Sequence, residues 1–247
     1  MIIKEVNAKT ILSKSKVRDY TINAYVGCEH GCTYCYARFM KRYTGHREPW
    51  GEFVDAKINS PELLEREIKS KPAGNVWISG VCDPYQPIES NYMLTRKCLE
   101  ILKKHQWPIT IQTKSPLVLR DIDLLEGFKE LEVIMTVTTS DDTIRKIFEP
   151  NAPPIEERLE AIEQLCLSGI RTYAMIAPML PKAESLATKL TDKVDYVIID
   201  KMNYHYADWV YKKHNLQYGM SDEFFDQRKA DLVDNLNKNG FSCQILF

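Results

Sequence analysis

Short runs of β-branched and aromatic residues recur along the chain, and each stops at a small polar cluster. Asn23–Val26 precedes Gly27, Val76–Ser79 precedes Gly80, and Ile109–Thr113 precedes Lys114. Val133–Val137 runs into a Thr/Ser/Asp stretch, Thr172–Ile176 into Ala177-Pro178, and Tyr196–Ile199 into Asp200-Lys201. The runs lack strict alternation, the pattern of strands buried on both faces. Segments of helical length lie between them. One opens at Pro61, with Ser60 expected as its N-cap. Two more cover 93–105 and 118–128. Ile155 to Ser168 carries Leu159, Ile162 and Leu165 on one face and stops at Gly169, a natural C-terminal cap.

Strand and helix alternate about six times, which predicts a parallel sheet. Six strands are too few for the usual closed barrel of eight. The expected fold is therefore α/β: a partial (β/α)6 TIM-type barrel of parallel strands with N-terminal and C-terminal extensions. Expected boundaries are 1–20 for an N-terminal extension outside the barrel, 21–205 for the barrel, and 206–247 for a C-terminal extension packing on it. Residues 39–60 read as an irregular insertion with one strand near Phe53–Ile58. Ser221 to Lys238 reads as a helix and Ser242 to Phe247 as a last strand.

Composition changes little in this picture. Apolar residues are 44% and charged residues 27%, ordinary for a globular enzyme, so the bulk of the chain is expected to fold. The net charge of −1 gives no global basic signature, and a nucleic-acid site would have to be a local patch. No apolar run approaches the roughly 20 residues that span a bilayer, and the first residues lack a secretory core, so a cytoplasmic protein is expected. The cysteines are more informative. There are seven, an odd number, and three fall within eight residues. In a reducing compartment such crowding suggests a metal site rather than disulfides.

That segment reads Gly27-Cys28-Glu29-His30-Gly31-Cys32-Thr33-Tyr34-Cys35-Tyr36, a Cys-x3-Cys-x2-Cys spacing. Thiolates are soft ligands suited to iron–sulfur clusters or zinc. Three sulfurs on a short loop can hold three corners of a cubane and leave its fourth iron open. Structural zinc wants four ligands, commonly two Cys-x2-Cys pairs, and no second pair exists. His30 as fourth ligand would strain a tetrahedral site between its flanking cysteines. Chance grouping of reduced cysteines is the third reading. Cys98, Cys166 and Cys243 lie in helical or strand patterns and read as core.

The Cys-x3-Cys-x-aromatic-Cys pattern resembles the signature of the radical S-adenosylmethionine (SAM) superfamily. Further stretches resemble its spore photoproduct lyase-like, or DNA-repair photolyase-like, branch: Gly80 to Glu89, Thr113 to Leu117, Leu119-Arg120-Asp121 and Glu149 to Pro154. The likeness runs from about residue 20 to about residue 205. It implies a [4Fe–4S] cluster on Cys28, Cys32 and Cys35 with SAM chelated at the open iron. It also implies reductive cleavage of SAM to a 5′-deoxyadenosyl radical and an electron donor of flavodoxin or ferredoxin type. Tyr34 then lies near the adenine. Gly80 and Asp83 meet the SAM ammonium, Asp83-Pro84 being alternatively a turn starter. Lys114 meets the carboxylate as a point charge. Thr138 and Ser140, with Thr139 and Asp141, hold the ribose or else cap the next helix. Asn203 meets the adenine edge. Tyr36 is a candidate hydrogen relay, or a shield for the cluster. Cys82 lies near the position of the lyases' hydrogen-donor cysteine but about two residues out of register, where Gly80 takes that place. Its other reading is a small buried side chain. Glu149 and Arg158 are expected to pair and pin a loop.

Two stretches interleave aromatic and basic residues, Lys41 to Trp50 and Asn203 to His214, as single-stranded nucleic-acid platforms do. Each also suits a capping loop or an amphipathic helix. Three functions follow: a radical SAM enzyme acting on nucleic acid, in lesion repair or base modification; the same chemistry on a peptide or small metabolite; or a non-catalytic iron–sulfur or zinc scaffold.

Overall fold

The computed structural model describes residues 1–246. Two sheets organise it. Eleven strands follow in chain order: β1 (Ile2–Val6), β2 (Ser13–Lys14), β3 (Tyr20–Ile22), β4 (Tyr25–Val26), β5 (Phe53–Lys57), β6 (Val76–Ile78), β7 (Ile109–Thr113), β8 (Leu131–Thr136), β9 (Thr172–Ile176), β10 (Tyr196–Ile199) and β11 (Cys243–Ile245). The large sheet has the order β11-β10-β9-β8-β7-β6-β3-β2. From β3 to β11 every neighbouring pair is parallel, and only the edge strand β2 runs antiparallel. β3 and β10 are not paired, so the six-strand wall is an open partial barrel.

Register follows from the β-branched runs. Ile78 pairs Ile111, Ile111 pairs Val133, and Val133 pairs Thr172, so apolar positions line up across three strands and meet a buried threonine on the fourth. The helices Leu94–His105 and Ile155–Leu167 cover the sheet with Leu99, Leu102, Ile162 and Leu165, each fully buried. Each such side chain contributes roughly 1.5–3 kcal/mol of transfer free energy. The second of these helices stops at Gly169, whose φ of +71° is the left-handed cap that the sequence suggests. The tail helix Asp222–Lys238 is capped by Ser221, whose side chain accepts from the Phe224 amide. Among the described residues no helix is long and apolar enough to cross a membrane.

Two local expectations fail. The first barrel strand is Tyr20–Ile22, not Asn23–Val26. The Asn23 side chain turns the chain, its Oδ1 accepting from the amides of Gly80 at 2.8 Å and Val81 at 3.0 Å. Beyond that turn Tyr25–Val26 leaves for a second, small sheet of order β1-β5-β4, where it pairs antiparallel with Phe53–Lys57. The N-terminal residues are thus woven into both sheets, through β1 and β2. The cap position of helix Ser60–Glu67 is Asn59, with Ser60 inside the helix and its hydroxyl on the Lys57 carbonyl.

Candidate active site

The cysteine loop leaves β4 through Gly27. Its φ is +90°, and a Cβ there would lie 2.2 Å from the Phe53 carbonyl oxygen. The loop is then clipped on both sides. Gln86 accepts from the Glu29 amide at 2.9 Å and donates to the Gly27 carbonyl at 3.2 Å. The Thr33 amide donates to the Phe148 carbonyl at 2.8 Å, and Asn151 Nδ2 donates to the Glu29 carbonyl at 3.0 Å. Gly27→Ala is expected to cost at least about 1–3 kcal/mol from backbone strain alone. A lowered Tm together with reduced iron uptake is the measurement that checks it.

The loop closes one side of a cavity of about 320 Å³. Cys28, Cys32 and Cys35 line it, facing residues beyond the carboxyl ends of the barrel strands. Ser79, Gly80, Cys82 and Asp83 come from the end of β6, and Lys114 from the end of β7. Asp200 and Met202 come from the end of β10. Strand ends converge there in α/β architectures, which is why ligands bind at that face. Among the described residues no three His, Cys, Asp or Glu side chains gather so as to hold a single metal ion. All three cysteines line the cavity, and none forms a disulfide. Burial pushes the Cys28 thiol well up, reinforced by Asp83, and pushes Cys32 up to about 12. Left to themselves these thiols are neutral. Bound iron would displace their protons, because the thiolate is the ligand form. Three soft donors beside an accommodating cavity fit an iron–sulfur cluster with one open iron.

Behind the cysteines lies a buried ionic group. Glu149 and Arg158 pair at 2.6 Å with both side chains fully buried. The same carboxylate accepts from the Tyr34 hydroxyl and from Thr138 Oγ1 at 3.0 Å. Lys114 Nζ stands 4.0 Å from it and 5.7 Å from the centre of the Tyr34 ring. Burial alone would raise the Glu149 pKa, but Arg158 and then Lys114 outweigh it and hold it down to about 2. Burial lowers Lys114, and Glu149 with Cys32 overcomes this, so the ammonium is kept.

Asp83 is a hub. It accepts from Thr113 Oγ1 at 2.6 Å, from the Tyr85 amide at 2.9 Å and from the Lys114 amide at 2.8 Å. His30 Nδ1 sits 3.4 Å away on the remaining side. The chain's own donors therefore surround this carboxylate, leaving little acceptor capacity for a cofactor ammonium. Gly80 presents a bare stretch of cavity wall, and its carbonyl accepts from the Tyr36 hydroxyl. Cys82 faces the cavity with its thiol 2.9 Å from Ser79 Oγ, and burial raises its pKa to about 12, so the S–H bond is intact at neutral pH.

The structure brings Tyr34, Tyr36, Gly80, Cys82, Asp83, Lys114 and the three cysteines of the loop to one cavity. It does not bring Thr138, Ser140 or Asn203 there. Thr138 serves Glu149, and Ser140 donates to the Lys182 carbonyl at 2.6 Å. Asn203 is exposed and donates to Asp200 Oδ2 at 2.8 Å. Their polar groups are used by the fold. Asp141 is the cap of helix Asp142–Phe148, accepting from the Thr143 amide at 2.7 Å. In their place the cavity takes Gln112, Thr136 and Met175, with Gln112 Nε2 3.1 Å from the Met175 sulfur. A glutamine inside an apolar strand was the available signal for this inward face.

Fold, cysteine loop and cavity together define a radical enzyme site, and the chain belongs to the radical SAM superfamily, whose family model matches residues 22–185. It is a radical SAM enzyme of mixed α/β fold. Members of this superfamily work with a [4Fe–4S] cluster and SAM and need a reductant. An uncharacterized protein of Methanocaldococcus jannaschii is 38% identical over 182 residues, covering 72% of this chain and 68% of that one. An uncharacterized protein of Acidianus two-tailed virus is 31% identical over 171 residues, 66% of this chain but 56% of its own length. A radical SAM Nα-GlyT isomerase of Pseudomonas phage M6 is 24% identical over 155 residues, 62% of this chain and 32% of its own. Among solved structures, spore photoproduct lyase complexed with a dinucleoside spore photoproduct superposes with a TM-score of 0.72. The identity is 13%, over 99% of this chain and 82% of that chain. Streptococcus suis SuiB bound to its precursor peptide SuiA gives 0.61 at 14% identity, over 92% of this chain and 48% of that chain.

Proposed function

We propose that this enzyme acts on nucleic acid, in lesion repair or base modification, using a cluster on Cys28, Cys32 and Cys35. The observation that carries the reading is an aromatic stair at the cavity mouth. Tyr36 lines the cavity and is 45% exposed. Its ring stacks on Tyr204 at 6.0 Å and 25°, and Tyr204 stacks on Tyr206 at 5.9 Å and 19°. The Arg38 guanidinium lies 4.8 Å over Tyr206, and Arg42 lies 5.0 Å over Tyr43. Partly exposed rings beside cations suit stacked bases and their phosphates. Spore photoproduct lyase, which this chain resembles in fold, is complexed with a dinucleoside photoproduct, in keeping with this reading.

When bound, the cluster supplies one electron to SAM, which yields methionine and a 5′-deoxyadenosyl radical. The chain's own residues supply position. Lys114 and Arg158 share the carboxylate of Glu149. Lys114, which lines the cavity beside the cysteine loop, is the group to meet the SAM carboxylate. Gly80 keeps the wall low, and its carbonyl retains a lone pair for the ammonium. Tyr34, tethered to Glu149, presents its ring to the adenine side. Cys82 and Tyr36 hold transferable hydrogens at the mouth. A flavodoxin- or ferredoxin-type protein supplies the electron.

Reconstituted protein is expected to bind a single-stranded oligonucleotide with an affinity that falls steeply as salt rises. Tyr204→Ala and Tyr206→Ala are each expected to cost about 1–3 kcal/mol of that binding, the worth of one stacked base. Fluorescence anisotropy reads both. Loaded protein that binds neither single strand nor duplex at low salt would end the nucleic-acid reading and favour a peptide or small metabolite.

A further inference from the structure

We infer that Trp50 is a positioning residue for the cluster: its indole N–H is aimed at the Cys35 sulfur and sets the ease with which the cluster accepts an electron. This rests on the cluster assignment and not on the choice of substrate.

The three cysteines are not equally protected. Cys28 and Cys32 are buried, whereas Cys35 is partly exposed. Trp50 lies against Cys35, and its indole nitrogen is buried without completing a hydrogen bond to any protein group. A buried donor left this way is uncommon and calls for an acceptor. A neutral thiol is a weak acceptor, and a thiolate on iron is a far better one, because charge strengthens the bond.

The surrounding loop is built to hold the indole in place. Gly51, at a φ of +101°, packs so closely on Gly31 of the cysteine loop that a Cβ there would fall 2.8 Å from the Gly31 Cα. Trp50 meets Phe53 edge-on at 5.9 Å and 84°. Phe53 is in turn stacked under His46 at 4.2 Å. The His46 ring is held at both nitrogens, 2.9 Å from Glu48 and 2.8 Å from Asp55. An insertion that looks irregular in sequence thus presses one indole onto the least shielded cysteine. Donors to cluster sulfurs stabilise the more electron-rich reduced state, and solvent exclusion acts on the same potential.

Trp50→Phe keeps an aromatic ring against Phe53 and removes only the donor. Iron, inorganic sulfide and visible colour are expected to stay at wild-type levels, which shows that the cluster reading survives. In a redox titration followed by electron paramagnetic resonance, the ratio of reduced to oxidised cluster at a fixed potential is expected to fall about tenfold. That equals a midpoint about 59 mV more negative for one electron. A ratio within about twofold of wild type, with the cluster intact, overturns the inference. Should Trp50→Phe lose the cluster, a second measurement decides on a variant that retains Trp50. Trp77→Phe protein labelled with 15N-tryptophan has lost the one indole among the described residues that lines the cavity. Its reduced cluster is expected to show a 15N hyperfine coupling by pulsed resonance. Absence of that coupling also overturns the inference.

Discussion

Changing Cys28, Cys32 or Cys35 singly to alanine is expected to reduce bound iron and inorganic sulfide to background after anaerobic reconstitution. The visible charge-transfer absorption is expected to vanish with them. The loop offers only these three thiols, and among the described residues no group of three His, Cys, Asp or Glu is placed to substitute for them. A cluster that already leaves one iron without a protein ligand has no redundancy to lose. Cys82→Ala is the matching control. That side chain shares the cavity, yet its sulfur is engaged by Ser79 and the Tyr25 carbonyl. The variant is expected to keep full colour. Colour retained in any of the three single variants, or bleached in Cys82→Ala, would mean that the ligands have been misassigned.

The second large effect lies behind the cluster. Glu149→Gln leaves Arg158 and Lys114 as two buried cations without their shared counter-charge. Breaking a buried pair from one side costs about 3–5 kcal/mol. For a chain of this size that is a fall in Tm of roughly 2–4 °C per kcal/mol. Adding Arg158→Met is expected to restore part of the loss, since the stranded guanidinium goes with it. The pair also has a pH signature. Glu149 is held down to about 2 from an ordinary 4.5. The unfolded chain therefore takes up its proton first as pH falls. The contribution is complete above about pH 4.5 and drains away between there and about pH 2. Glu149→Gln should lack this acid limb. A variant with wild-type Tm and an unchanged acid profile would show that the pair contributes nothing net.

Much of the barrel was legible because parallel strands buried on both faces are rich in β-branched and apolar residues, and the runs from Val76 to Ile199 are. The first strand was misplaced for an equally physical reason. Tyr25–Val26 is as apolar as Tyr20–Ile22, and what separates them is the turn at Asn23 and a partner strand almost thirty residues downstream, Phe53–Lys57. Local pattern reports that a segment is a strand but not which sheet receives it. The same limit applies to the site. The cysteine loop and the strand-end residues Gly80, Asp83 and Lys114 are marked by where they fall in the chain. Thr138, Ser140 and Asn203 carry the same mark, but hydroxyls and amides after a strand serve nearby carboxylates and carbonyls of the fold as readily as a ligand. Trp50 was marked only as an aromatic of the Lys41 to Trp50 stretch, because its role depends on Gly51 meeting Gly31 in space.

The crowding of donors around Asp83 has a bearing on how the cofactor enters. One carboxylate ties the ends of β6 and β7 to the imidazole of the cysteine loop, through three hydrogen bonds and the nearby His30. The receptacle is thus pre-tensioned by bonds that need neither iron nor sulfonium. Ordering costs that would otherwise be charged to cofactor capture have already been met when the chain folds. Loading then amounts to filling a finished mould.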